Sequence, residues 1–275
     1  MNTIDCTTAI PGASEADTIH ALQKTVSASR LSLFLQCRLK FWFRHVHKIQ
    51  KPKTAALHLG NSVHAVLRIW NKARWRNQPL TLKQLHDEFA KAWEDESEAP
   101  VQWDDDQSRQ QQQQLGWKLV ETYVRETSLQ NMPCPEAVEV PVEADLENHG
   151  LPKLIGILDL VQRGVIVDYK TSAQTPAPEM VVHLHEVQMC GYALLYRAST
   201  GKRENGIEIH SLIKLKTPRL VVSATPPMTE AQQTRLFRIM ESYVDGLDRR
   251  DWVPSPGMQC HSCDYYHECR AWNGK

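Results

Sequence analysis

No run in this chain of 275 residues approaches the roughly 20 consecutive apolar residues that a bilayer-spanning helix requires, so the sequence excludes a transmembrane helix. Its first residues carry acids and no apolar stretch of the kind a secretory signal needs, which makes the cytoplasm the expected compartment. No segment fits the phosphate-binding pattern G-x4-G-K-S/T, so any ATP-driven unwinding of a substrate must come from another protein. No internal repeat is found, which excludes solenoid and propeller arrays. Excess charge is also missing, because 32 Lys and Arg offset 32 Asp and Glu. On average, then, the chain lacks the basic surplus of a nucleic-acid binder.

The most telling absence is local. Residues 18–86 contain no Asp or Glu, yet hold thirteen Lys and Arg, among them Arg30, Arg38, Arg68, Lys72 and Arg76. Residues 87–106 reverse the sign, with nine acids against the single Lys91. Such segregation suits a face that tracks phosphates on an otherwise neutral protein. The alternative is that two helical faces of opposite charge pack on each other.

What is present begins with seven cysteines, an odd number that reads better as metal ligands and buried thiols than as a disulfide framework in a chain without a secretory signal. Cys37 stands near the start, and Cys260, Cys263 and Cys269 form a C-x2-C-x5-C run near the end. Four thiols so distributed can close one metal site only if the two ends of the chain meet. From the residues alone, four thiolates suit tetrahedral zinc or an iron-sulfur cluster equally well. Cys6, Cys134 and Cys190 fit neither group and are read as incidental.

Periodicity predicts a mobile tail over residues 1–26, then a helix capped at Ser29 that contains Cys37, followed by helices over 61–75, 82–94 and 108–128. Strands are predicted over 137–142, 154–161 and 165–169, with Arg163-Gly164 as the turn between the last two. A helix over 179–198, a strand over 207–216 and a helix over 229–247 capped by Thr229 complete an α/β architecture with a mixed sheet.

Within that frame, Asp159 lies on one strand and Asp168-x-Lys170 on the next. Side chains two apart on a strand share a face, so Asp168 and Lys170 project together while the hairpin brings Asp159 alongside. Two carboxylates can hold a hard cation such as Mg2+ or Mn2+, and a lysine can position water or stabilise charge on a phosphoryl group. The bland reading of this spacing is a hairpin with an exposed ion pair. Gly60 is expected to open a helix with His64 one turn inside, and His64 is a reasonable nitrogen ligand. Gln188 and Tyr192 share a helical face suited to phosphate or water contacts.

The ordered set Ser27-Ala28-Ser29-Arg30-Leu31 with Cys37, Gly60-x3-His64, Gly156-x2-Asp159, Asp168-Tyr169-Lys170-Thr171, Gln188-x3-Tyr192 and the terminal C-x2-C-x5-C resembles RecB-like nucleases of the PD-(D/E)XK superfamily. It is most similar to the iron-sulfur branch, which includes the AddB nuclease domain and CRISPR-associated adaptation exonucleases. The resemblance spans about residues 27–270, and implies a restriction-endonuclease-like core over 27–275 with a mixed central sheet, a helical insertion and a four-cysteine clasp joining the termini. It also implies that His64, Asp159, Asp168 and the Tyr169 carbonyl bind Mg2+ or Mn2+, that Lys170 is catalytic, and that Gln188 and Tyr192 line the site. Cys37, Cys260, Cys263 and Cys269 would then ligate a [4Fe-4S] cluster. Arg38 departs from the proline common after the first cysteine. The expected activity is exonucleolytic hydrolysis of DNA at ends or in single strands. The alternative is a non-catalytic module that guides DNA ends for a helicase or integrase partner, against which the intact Asp159, Asp168 and Lys170 count.

Overall fold

The computed structural model describes residues 14–96, 99–129, 132–175 and 177–274. In chain order the elements are α1 (Glu15–Lys24), β1 (Thr25–Val26), α2 (Ala28–Gln36), α3 (Arg38–Phe41) running into a π-turn (Trp42–Val46), β2 (Lys53–Thr54), α4 (Ala55–Trp75), α5 (Leu82–Glu94), β3 (Val101–Gln102) and α6 (Asp106–Leu129). There follow β4 (Ala137–Ala144), β5 (Lys153–Gln162), β6 (Val165–Ser172), α7 (Pro178–Leu184), α8 (Glu186–Thr200), β7 (Gly206–Ile213), β8 (Arg219–Thr225), α9 (Glu230–Asp248) and α10 (Tyr266–Ala271).

The α/β class and the mixed sheet are as the sequence predicts. β4, β5 and β6 form an antiparallel meander, β6 and β7 run parallel from Val165↔Gly206 to Ser172↔Ile213, and β8 returns antiparallel to β7. A parallel pair cannot be joined by a tight turn, and α7 and α8 supply the crossover. β6 is buried on both faces and reads accordingly, with Ile166 in one apolar cluster and Val167 and Tyr169 in the other. Helices α2, α8 and α9 cover the first face; α4, α5 and α6, the helical insertion, cover the second.

Several boundaries move. Residues 1–13 of the expected tail lie outside the described residues, but order begins well before Ser27. Ser14 and Asp17 form a capping box for α1, whose Ile19 and Leu22 are buried. The cap of α2 is Ser27 and not Ser29: the Ser27 hydroxyl accepts from the Arg30 N–H at 3.3 Å. Cys37 is not inside a helix. It sits extended at the junction of α2 and α3, and its thiol accepts from the Lys40 N–H. Gly60 does not open α4, which starts at Ala55 behind a Thr54 cap. The helix expected over 179–198 is broken at His185, and β8 was not foreseen.

Candidate active site

The hairpin of β5 and β6 pairs only near its turn, through Leu160↔Val167, Val161↔Ile166 and Gln162↔Val165. At its other end β5 pairs with β1 instead, at Lys153 and Leu154. The strands part at Asp159 and Asp168, the next residues along. Two carboxylates placed opposite each other repel, and this is where the ladder stops. The freed Tyr169 N–H donates to Asp159 Oδ2 at 3.4 Å.

Asp168 is 1% exposed. Gln188 on α8 donates to its Oδ1 at 2.9 Å, and the same amide reaches the Tyr192 hydroxyl at 2.8 Å, so the two residues share a helical face as expected. Lys170 Nζ lies 2.6 Å from Asp168 Oδ2. That ammonium neutralises the carboxylate from off its hydrogen-bonding axis, and Oδ2 accepts no hydrogen bond. Burial pushes the Asp159 carboxyl up to about 6, with the neighbouring Asp168 adding to the shift and His64 opposing it. Burial and the same two carboxylates hold the Tyr192 phenol far above its ordinary value, so it stays protonated.

His64 comes from the facing layer. Its Nε2 is 2.8 Å from the Tyr169 carbonyl, which can only accept, so Nε2 carries the proton and Nδ1 faces Asp159 Oδ2 at 3.6 Å. Tyr169 turns its ring the other way, where Asn71 donates to its hydroxyl at 2.8 Å. Its carbonyl remains on the site side. Gly60 lies where α4 passes the end of β6, and a Cβ there would stand 3.5 Å from Thr171 Oγ1.

Two residues at this site carried no sequence signal. Glu139 follows the β4–β5 register to a place across from Asp159, with left-handed backbone (φ 48°) and its carboxylate on Arg68 at 2.9 Å. Only the fold makes it a neighbour. His185, at the break between α7 and α8, has its imidazole held below the ordinary value by burial and then by Lys170. Two cavities reach the cluster. One of about 560 Å3 is lined by His64, Arg68 and Lys170, the other of about 730 Å3 by Asp159, Gln188 and Tyr192, and Glu139 borders both.

Apart from these cavities, Cys37, Cys260, Cys263 and Cys269 all line one small cavity of about 60 Å3. Burial raises the Cys269 thiol, and Cys37, Cys263 and Cys260 raise it further, as thiols crowded together must. The two segments that carry these cysteines do meet. Leu39 N–H donates to the Val253 carbonyl at 3.1 Å, Arg38 pairs with Asp251, and the Tyr265 hydroxyl donates to the Ile49 carbonyl at 3.0 Å. Cys190 is buried and away from this cavity, Cys134 is exposed, and Cys6 lies outside the described residues.

As positioned, no group of three or more His, Cys, Asp or Glu side chains among the described residues is drawn tightly enough to hold a metal ion. The donor chemistry at the β5–β6 fork nevertheless fits a hard divalent cation. Asp168 Oδ2 is a buried oxygen that faces the Lys170 ammonium, Asp159 is pushed toward its neutral form by burial and further by the carboxylate beside it, and one imidazole nitrogen faces them. Removal of that mutual repulsion is what a cation offers.

Residues 25–270 match the family model of the PD-(D/E)XK nuclease superfamily. The chain belongs to that superfamily. Members of the PD-(D/E)XK superfamily are nucleases and generally use divalent metals, in keeping with the carboxylates at the fork. A crystal structure of a proposed exonuclease from Eubacterium rectale shares the fold, at 13% identity, with a TM-score of 0.59 over 100% of this chain and 94% of the other. No curated protein matches the sequence. Among the described residues, no helix is long and apolar enough to cross a membrane.

Proposed function

We propose that this nuclease is a divalent-metal-dependent DNA exonuclease acting on ends or single strands. The observation that carries the reading is the convergence of Asp159, Asp168, Lys170, His64 and the Tyr169 carbonyl where β5 and β6 separate, between two open cavities. Asp159, Asp168, His64 and the carbonyl would hold Mg2+ or Mn2+, which supplies activation of water and neutralisation of phosphoryl charge. Lys170, once drawn off Asp168, points its ammonium at the phosphoryl oxygens and steadies the attacking water. Gln188 fixes the Asp168 carboxylate through Oδ1, while Oδ2 faces the Lys170 ammonium. Tyr192, kept protonated, offers a hydroxyl to a phosphate oxygen or to water. The four cysteines around their shared cavity support a second, structural site, for which we propose a [4Fe-4S] cluster in preference to zinc.

The test is digestion of end-labelled single- and double-stranded DNA with Mg2+ or Mn2+. Cleavage is expected, with loss in EDTA and a fall of at least about a hundredfold on Asp168→Ala or Lys170→Ala, while circular dichroism stays that of the parent. Cleavage that survives EDTA, or that Asp168→Ala retains, would sink the reading.

A further inference from the structure

Among the described residues, the guanidinium of Arg30 is a buried charge that the site described so far does not use. Arg30 is 6% exposed, in the first turn of α2. It donates to the Thr25 carbonyl at 2.8 Å and touches the Tyr243 hydroxyl, yet no carboxylate among the described residues pairs with it. A buried guanidinium without an anion is costly, and its five donors exceed the partners it has.

Its surroundings are built for an anion. Arg30 lines the cavity of about 730 Å3 that also holds Asp159, Gln188 and Tyr192, so it shares one space with the proposed catalytic cluster. Ser27 and Ser29 line the same wall, their hydroxyls 3.0 Å apart. α2 has no acid in its first turn, and its starting residues Ser27, Ala28, Ser29 and Arg30 all line the cavity, so the positive end of the helix dipole lies at this wall with the Ser27 hydroxyl capping one N–H. Among the described residues, the acids on this wall beyond Asp159 are Glu139 and Glu143. Both are already paired, with Arg68 at 2.9 Å and Lys153 at 2.9 Å. His45, also on the wall, is held neutral by burial and by Arg44 and Arg30, and can donate a hydrogen bond without adding charge.

We infer that Arg30, Ser27 and Ser29 at the start of α2 form a phosphate subsite, which holds a nucleic-acid phosphate beside the one cleaved and so fixes the strand in the site. The inference rests on the reading of the chain as a nuclease. The phosphate can be the terminal group of a strand or an internal phosphodiester, and the two give different results.

The experiment measures affinity by fluorescence anisotropy for equal-length single strands that carry a 5′-phosphate, a 3′-phosphate or neither. It uses the full chain with Lys170→Ala in magnesium, so that no strand is consumed. Arg30→Gln should weaken binding roughly tenfold or more and lower the log-log salt slope by about 0.7. Loss confined to one phosphorylated strand assigns a terminal phosphate and, with it, the polarity; equal loss on all three assigns an internal one. A folded Arg30→Gln protein with unchanged affinity and slope overturns the subsite. If that substitution prevents folding, Ser29→Ala, which keeps the guanidinium, should weaken binding about fivefold, and no change there overturns the subsite equally. Binding that depends on Arg30 in a chain that never cleaves DNA would overturn the catalytic reading alone.

Discussion

His45 shows what burial does to a single titrating group. Its ring packs on Phe41 with centroids 4.8 Å apart, and burial, then Arg44 and Arg30, bring it from the ordinary 6.5 down to about 3. The folded protein therefore takes up this proton less readily than the unfolded chain. Its contribution to stability is complete above about 6.5 and is lost as pH falls from there toward 3. Urea midpoints measured at pH 8 and pH 4.5 should fall with acid, and His45→Gln should flatten the fall; an equal slope in the variant would show that other groups dominate. The sequence offered His45 no role, because its environment is made by residues remote along the chain. Asp168 and Lys170 were legible for the opposite reason, since a period of two on a strand settles their shared face locally. Asp159 followed from the hairpin turn at Arg163-Gly164. Glu139 was not singled out, because it depends on a cross-strand register; Arg30 was read as one cation of the acid-free stretch and of the Ser27–Leu31 motif, and its place at the cavity depends on what fails to pair with it.

Among the elements, α2 and α9 meet at closest range where glycine permits it. A Cβ on Gly246 would stand 2.4 Å from Phe34 Cζ. Phe34 cannot yield, because Phe41 and Tyr243 hold it edge-on at 5.4 and 5.2 Å. Gly246→Ala should cost about 1–3 kcal/mol and appear as a lower urea midpoint with an unchanged m-value. An unaltered midpoint would mean that the helices can slide apart freely. Amphipathic helices such as α5, α6 and α9 were readable to within about two residues, since their buried faces repeat at helical spacing, whereas α4 starts at Ala55, ahead of the expected Asn61. The elements that escaped are those set by tertiary contact. β8 lies at the sheet edge, with only Ser223 buried, and so lacks a clear alternation. The breaks at Cys37 and His185 contain neither glycine nor proline to announce them.

Over the whole molecule, three cations of the acid-free stretch find their partners outside the acidic one. Arg38, Lys51 and Arg68 from the acid-free stretch pair with Asp251, Glu268 and Glu139, none of them in residues 87–106, while Glu88 and Glu94 pair with Lys91 and Arg109. Arg68 borders the cavity that holds His64 and Lys170, and Lys72 lies one turn further along α4. Combined removal of charge at Arg68, Lys72 and Arg76 should weaken DNA binding for all sequences alike and flatten its salt dependence, by about 0.7 in slope for each lost contact to a single strand. A changed melting temperature with unchanged affinity would instead assign these residues to packing.

The four cysteines led to the expectation that the segments carrying them meet, and the same spacing left open which metal they would hold. Contacts other than metal already dock the ends, as Phe43 stacks on Tyr265 at 5.7 Å and Lys51 pairs with Glu268 at 2.5 Å. A metal at the four thiols would therefore act on a preformed junction and close a loop made of most of the chain, which restricts the unfolded state most strongly. It would also offset the burial and the neighbouring thiols that raise the Cys269 thiol, since ligation takes place through thiolates. Protein purified without oxygen should be brown and carry about four irons per chain, as one cubane cluster requires. Cys263→Ala should lose that colour together with several degrees of melting temperature, and should do so in samples never exposed to magnesium or DNA. A colourless parent with one zinc per chain would keep the clasp and refute the cluster. A parent with neither metal, whose melting temperature Cys263→Ala leaves in place, would reduce the junction to its hydrogen bonds, ion pairs and stacked rings.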